Sequence, residues 1–181
     1  MIALVHRAAL GVFRRLPVHA RRRVVRTIAP SYTVGSICII ERADGALLLV
    51  RLTYRDRWGL PGGLLKRGES TDDAARREVR EEVGLDVRLL GAPELVVDSV
   101  AQRVDVIYRA QPADGVDPET AGPMSPEIVE VGWFAPDDLP ELQHEASGAL
   151  VAAARAATDR ISRPARTPGG DDGPSRGAAA S

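Results

Sequence analysis

The chain has one cysteine, Cys38, and one lysine, Lys66, in 181 residues. A single thiol excludes an intrachain disulfide, and its setting in Ile37-Cys38-Ile39-Ile40 predicts a buried structural thiol. That setting fits a reducing compartment, and a cytoplasmic location is expected. Aromatic side chains are 4% of the residues, which leaves few platforms for stacking on a base. No apolar run approaches the ~20 residues needed to span a bilayer. The three histidines, His6, His19 and His144, are too scattered for a zinc set. The formal net charge is -1, so no global field favours nucleic acid, and none is expected as a partner. Arginine and alanine abound while lysine is nearly missing, a coding bias that weakens any argument from arginine counts.

Acids are missing from the first thirty residues, which hold seven arginines and two histidines. Apolar residues there recur at helical spacing, as in Leu4, Ala8, Val12 and in Leu10, Phe13. Pro17 interrupts, and a second basic helix is expected over about 18–28. His6 and Arg7 break the apolar stretch, which is unlike a secretory signal. Three roles fit this segment: a helical pair packed on the domain or on a second copy in a homodimer, a membrane-surface helix, or a protein-binding arm. At the other end, residues 160–181 are Pro, Gly, Ser, Arg and Ala with paired aspartates, a composition expected to be disordered. One domain over 31–159 lies between.

That middle segment alternates strand and turn signals. Strands are expected at Tyr32–Glu41, Ala46–Leu52, Val87–Leu90, Leu95–Val100, Val104–Ala110 and Glu127–Phe134. Asp44-Gly45 is a hairpin turn signal. Leu60-Pro61-Gly62-Gly63 breaks regular structure. Pro136–Pro140 reads as a turn with one helical turn, and Glu141–Asp159 as an alanine-rich helix. The order predicts an α/β fold with a mixed sheet and helices packed on both sides.

The chemistry lies between Gly63 and Leu85. Glu78, Glu81 and Glu82 are spaced i, i+3, i+4, which puts three carboxylates on one helix face. Like charges at that spacing cost a helix a few tenths of a kcal/mol, so a cation is called for. Hard divalent cations take oxygen ligands of this kind and meet phosphates in such sites. Ser70 and Asp73 have the form of a capping box, Asp72 and Asp73 suit the positive end of the helix dipole, and Gly84 sits where a left-handed cap is expected. Ala75, Val79 and Val83 make an apolar stripe, with Arg76 and Arg80 turned to solvent. Paired glycines upstream let the backbone approach a ligand.

Gly63, Glu69, Arg77, Glu78, Val79, Glu81, Glu82, Gly84 and Leu85 match every specified position of the Nudix box, and the chain resembles the Nudix hydrolases. The resemblance implies a Nudix-like α/β/α sandwich and hydrolysis of a diphosphate bond by water attack on phosphorus. It implies Mg2+ (or Mn2+) bridging carboxylates and phosphate oxygens and activating the water. By the same resemblance Glu78 and Glu82 are the main metal ligands, Glu81 supports them, and the Gly62 carbonyl is an additional ligand. Glu78 is also a general-base candidate, and Arg77 orients the carboxylates. Glu69 is secondary, with Gly63, as a loop anchor or second-metal ligand against a salt bridge to Arg77 or Arg80.

Outside the box, Glu127 is a candidate further ligand or base, or a solvated loop acid, with Glu130 as second choice. Arg51, Arg55 and Arg57 are candidates for substrate phosphate. Trp58 reads as a wedge into the core ahead of a base-stacking platform. No downstream motif fixes the substrate. A sugar- or ribose-linked nucleoside diphosphate or a nucleoside triphosphate is expected, with the sparse aromatics favouring the former. A nucleotide-sensing module without turnover, and an enzyme docked through residues 1–30, are the alternative readings.

Overall fold

The run Ile37-Cys38-Ile39-Ile40 shows no polar alternation because both faces of its strand are covered. The computed structural model describes residue 11 and residues 13–29 and 31–162. Leu4, Ala8, Leu10 and Val12, and the expected tail from 163 onward, lie outside the described residues. Strand β1 (Thr33–Ile40) pairs with β4 (Gly62–Leu64) on one side and with β6 (Arg103–Pro112) on the other, and β5 (Val87–Asp98) completes the order β4-β1-β6-β5. The β1–β6 pair is parallel, from Thr33 opposite Arg103 to Ile40 opposite Ala110, and the other pairs are antiparallel. A second antiparallel sheet has the order β3 (Trp58–Gly59), β2 (Leu47–Leu52), β7 (Ile128–Phe134).

The period-2 geometry of β1 divides its side chains between two cores. Cys38 and Ile40 pack with Ala75, Val79 and Val83 of helix α2 (Thr71–Val83), together with Leu48 and Val50 of β2. Ile37 and Ile39 pack with Ala149 of helix α3 (His144–Ser162). The mixed sheet is therefore covered by α2 on one face and α3 on the other, the expected α/β/α layering. Burial pushes the Cys38 thiol up to about 12, which leaves it an inert core group.

Several boundaries differ from the expected ones. The Asp44-Gly45 turn forms, with Gly45 at φ 89°, but β1 and β2 splay beyond the Glu41–Leu47 bridge into separate sheets. The glycine loop is flanked by two short strands, since Trp58–Gly59 pairs with β2 and Gly62–Leu64 with β1. The two strands expected at 87–90 and 95–100 are one, with an irregularity between Leu90 and Glu94 that Gly91 turns at φ 64°. Pro136–Pro140 contains turns and no helical turn. Helix α3 starts three residues later than expected because Trp58 N–H donates to the Glu141 carbonyl and Gln143 N–H donates to Trp58, holding that stretch extended. It runs on to Ser162, past the expected start of the tail.

Helix α1 (Val18–Ile28) falls where the basic pattern placed it, but none of its residues is buried. The two faces of the sheet are covered by α2 and α3, and α1 contributes to neither core.

Helix α2 begins as the sequence dictates. The Ser70 hydroxyl accepts from Asp73 N–H at 3.3 Å and donates to the Asp72 and Asp73 carboxylates. The helix stops at Gly84, φ 74°, whose N–H donates to the Arg80 carbonyl. Ser70→Ala removes the cap and is expected to lower stability by about 0.5–2 kcal/mol. Urea denaturation checks this; an unchanged midpoint would show that the aspartates cap the helix without the hydroxyl.

Candidate active site

Helix α2 lies across β4, and the contact is close because Gly63 faces the helix and Gly62 faces β1. A Cβ at Gly62 would stand 2.3 Å from the Ser36 carbonyl oxygen, and one at Gly63 would stand 2.5 Å from the Glu78 carboxylate. Gly62 thus lets β4 press against β1, and Gly63 leaves the space that Glu78 occupies. Gly62 N–H donates to Glu82 Oε2 at 3.0 Å. One glycine is fixed by Glu82, and its neighbour is overlain by Glu78.

Arg77 organises the acids on the outer side. Its Nε and Nη2 take the two oxygens of Glu69 at 2.7 and 2.9 Å, a bidentate pair. Its Nη1 donates to Glu78 Oε1 at 2.7 Å and to Glu81 Oε2 at 3.0 Å, and Nη2 reaches the Leu64 carbonyl at 3.3 Å. Glu69 is therefore a loop anchor: it also accepts from Lys66 N–H, and Arg77 and that amide hold its carboxyl down to about 2. The salt-bridge role is the one its surroundings show. Glu81 is exposed, and its carboxyl is lowered by Lys66 and then Arg77.

A cavity of about 450 Å³ opens beside this junction. Glu78, Glu82, Glu127, Gly62 and Gly63 line it, with Arg55, Arg103 and Tyr54 among the remaining walls. Glu78 and Glu82 reach the cavity, Glu81 is directed to Lys66 and Arg77, and Glu127 from the loop before β7 joins the first two. Arg55 is the one of the three candidate arginines that lines this cavity. Arg51 is held by Glu130 across the β2–β7 pair at 2.9 Å, and Arg57 pairs with Glu141 at 2.6 Å. Glu130, the second-choice acid, is taken up by the same pair with Arg51. Trp58 is a wedge, with its ring edge-on to Phe134 at 4.8 Å between centroids.

Arg103, Gln143 and Glu145 line the cavity without having been singled out in the sequence. Arg103 donates to Asp105 at 2.7 Å, and Asp105 is buried beneath it. The i, i+2 spacing of Arg103 and Asp105 on a strand, both on one face, was the available signal.

The electrostatics single out Glu82. Burial pushes its carboxyl up to about 7, opposed by the Gly62 N–H and reinforced by the charges of Glu78, Glu127 and Glu81. These carboxylates crowd together, with Arg77 on the outer side of Glu78 and Lys66 beside Glu81. Among the described residues no three His, Cys, Asp or Glu side chains enclose a ready-made metal cage. An open, all-oxygen set under mutual repulsion fits Mg2+ or Mn2+, which take one or two carboxylates and complete their shell with water and substrate phosphate.

The NUDIX domain family model matches residues 31–154. A MutT-like protein of Streptomyces ambofaciens is 30% identical over 119 residues, covering 66% of this chain and 74% of the relative. Among solved structures, a MutT NUDIX hydrolase from Burkholderia pseudomallei superposes with TM-score 0.56 at 31% identity, over 67% of this chain and 98% of that one. An ADP-ribose pyrophosphatase from Streptococcus suis superposes with TM-score 0.56 at 27% identity, over 73% and 93%. The chain belongs to the Nudix hydrolase family.

Glu82 sets a stability signature for the metal-free protein. Its folded pKa is above its unfolded one, so the folded state holds the extra proton between about pH 4.5 and 7. Its stabilising contribution is complete below that window and is lost as pH rises through it. Glu82→Gln, neutral throughout, is expected to gain on wild type between pH 5 and pH 8 in excess EDTA. Urea denaturation at both values measures the gain; an equal difference at the two would contradict the assigned burial cost.

Proposed function

We propose that this enzyme hydrolyses the phosphoanhydride bond of a nucleoside diphosphate linked to a sugar or ribose, by water attack on phosphorus. The observation that carries this reading is the cavity with Glu78, Glu82 and Glu127 on one side and the guanidinium-bearing residues Arg55 and Arg103 among its other walls. The similarity to an ADP-ribose pyrophosphatase and the scarcity of aromatic walls, with Tyr54 the one aromatic residue lining the cavity, favour a ribose-linked diphosphate over a triphosphate.

Glu78 and Glu82, with the Gly62 carbonyl and in support Glu81, would hold the divalent cation, Mg2+ or Mn2+. When bound, it supplies Lewis-acid neutralisation of the diphosphate and a lowered pKa for water. The remaining work falls to the protein. Glu78 accepts the proton of the attacking water, with Glu127, which lines the same cavity, as the second acid able to take it. Arg77 keeps the Glu78 carboxylate aimed by holding one oxygen and leaving the other free. Arg55 and Arg103 bind the phosphate that leaves, their planar forks matching its oxygens. Gly63 keeps open the space in which Glu78 works. The lone buried thiol agrees with a reducing compartment such as the cytoplasm. No helix of the described residues is long and apolar enough to cross a membrane.

Glu78→Gln or Glu82→Gln is expected to lower turnover by roughly 10²–10⁴. Glu69→Gln should cost less, because it acts through Arg77. Steady-state kinetics on a nucleotide-sugar panel with Mg2+ measures both; near wild-type turnover by Glu78→Gln would overturn the assignment. Activity is also expected to vanish after dialysis against excess EDTA and return with Mg2+ or Mn2+.

The bond that breaks is testable on its own. Water adds across P–O–P, so one phosphorus gains the oxygen of water and the other departs with the bridging oxygen. In 18O-water the label should appear on a phosphate oxygen of one product, with a nucleoside monophosphate and a sugar phosphate formed. Label on a sugar carbon hydroxyl, or release of free base, would show glycoside chemistry instead.

A further inference from the structure

We propose that helix α1 is a membrane-surface helix that holds the enzyme on an anionic phospholipid bilayer. Unlike α2 and α3, the helix has no buried residue, and it carries four arginines and no acid. By helical periodicity Ala20, Val24, Ile28, Val25 and Val18 follow one another around one side, and Arg22, Arg26, His19 and Arg23 around the other. Val18, Val25 and Ile28 are 58%, 49% and 79% exposed, large apolar groups facing water in a protein whose sheet is covered on both faces. Arg21 is the one cation within the apolar arc, and it turns back so that its Nε donates to the Leu16 carbonyl at 2.8 Å. A shallow groove on the helix runs between Val18 and Val25 with Arg21, Arg22 and Arg26 at its edges.

Charge complementarity selects the occupant. The first thirty residues hold seven arginines and no acid, while the chain as a whole is at -1, so the rest of the molecule is net negative. Positive charge and exposed apolar surface thus occur together at one end. An anionic bilayer uses both: arginines meet the headgroups, and the valines and isoleucine enter the boundary of the acyl region. A nucleic acid would use the arginines alone, and a second copy of the same basic helix would bring like charges together. Phe13 and Leu16, both half-buried, lie just before the helix.

Flotation of the full chain with phosphatidylcholine vesicles, with and without about one-third phosphatidylglycerol, tests this. Binding is expected with the anionic vesicles, at least tenfold above the neutral ones, and a severalfold loss is expected on raising salt through the screening range. Two variants are expected to abolish flotation while keeping the melting temperature and nucleotide turnover of wild type, because α1 is outside the core and the cavity. One is Arg22→Glu with Arg26→Glu. The other is Val18→Gln with Val25→Gln and Ile28→Gln, which retains every arginine. Failure to float with anionic vesicles would overturn the proposal, as would equal binding to neutral ones. Full flotation by the glutamine variant would also overturn it. So would wild-type protein that ignores vesicles but binds single-stranded RNA, or that forms a dimer lost in the glutamine variant; either result would give α1 a different occupant.

Discussion

Arg77 is the constraint on which the site depends. Glu69, Glu78 and Glu81 converge at one helix–loop junction, and without a cation between them they would repel. One guanidinium, mostly sheltered from solvent, contacts all three, and its planar fork fixes where each carboxylate lies. Lysine has no such fork and could not take Glu69 bidentately while reaching the other two. The loop that carries Glu69 is thereby tied to the helix that carries Glu78. Glu82, one turn on, is left with a single amide donor and a raised pKa. Arg77 thus offsets the charge of Glu69, Glu78 and Glu81, whereas Glu82 faces the cavity with the Gly62 amide as its donor.

The scaffold makes this possible through close backbone approach. Strand β4 is three residues long, yet it sits between β1 and α2 with no side chain at its two critical positions. The parallel β1–β6 pair, buried on both faces, supplies the rigid floor, and α2 is clamped to it by Ala75, Val79 and Val83. Loops from elsewhere then bring Arg55 and Glu127 to the same opening. The acids thus stand on regular elements, while the groups that distinguish substrates stand on loops or on strand ends, as in other folds where the site is grafted on a common scaffold.

The acidic helix was legible in the sequence because its signals are local: the cap at Ser70, the stripe Ala75-Val79-Val83, the stop at Gly84. The box glycines were legible as a break, though not as strand β4, because the pairing that makes them regular comes from β1, some 26 residues earlier. The same non-local pairing of Trp58 with 141–143 displaced the start of α3. Helical spacing places Glu78, Glu81 and Glu82 on one face, but it leaves out Lys66, which reaches Glu81 from across the loop. Arg51 and Arg57 stand in ion pairs that local sequence could not show, because their partners Glu130 and Glu141 come from distant segments. Arg103 was missed although its partner Asp105 is local, because its place at the cavity depends on how β6 pairs within the sheet.

If the account is right, the cavity carboxylates form one cation site, open enough to share the ion with substrate. Mn2+ binding followed by electron paramagnetic resonance reads that site without turnover. Wild-type protein is expected to take up Mn2+ with competition by Mg2+, and Glu78→Gln with Glu82→Gln to lose that uptake while Glu130→Gln keeps it. Equal Mn2+ uptake by the double variant and wild type would contradict the placement of the cation between α2 and β4.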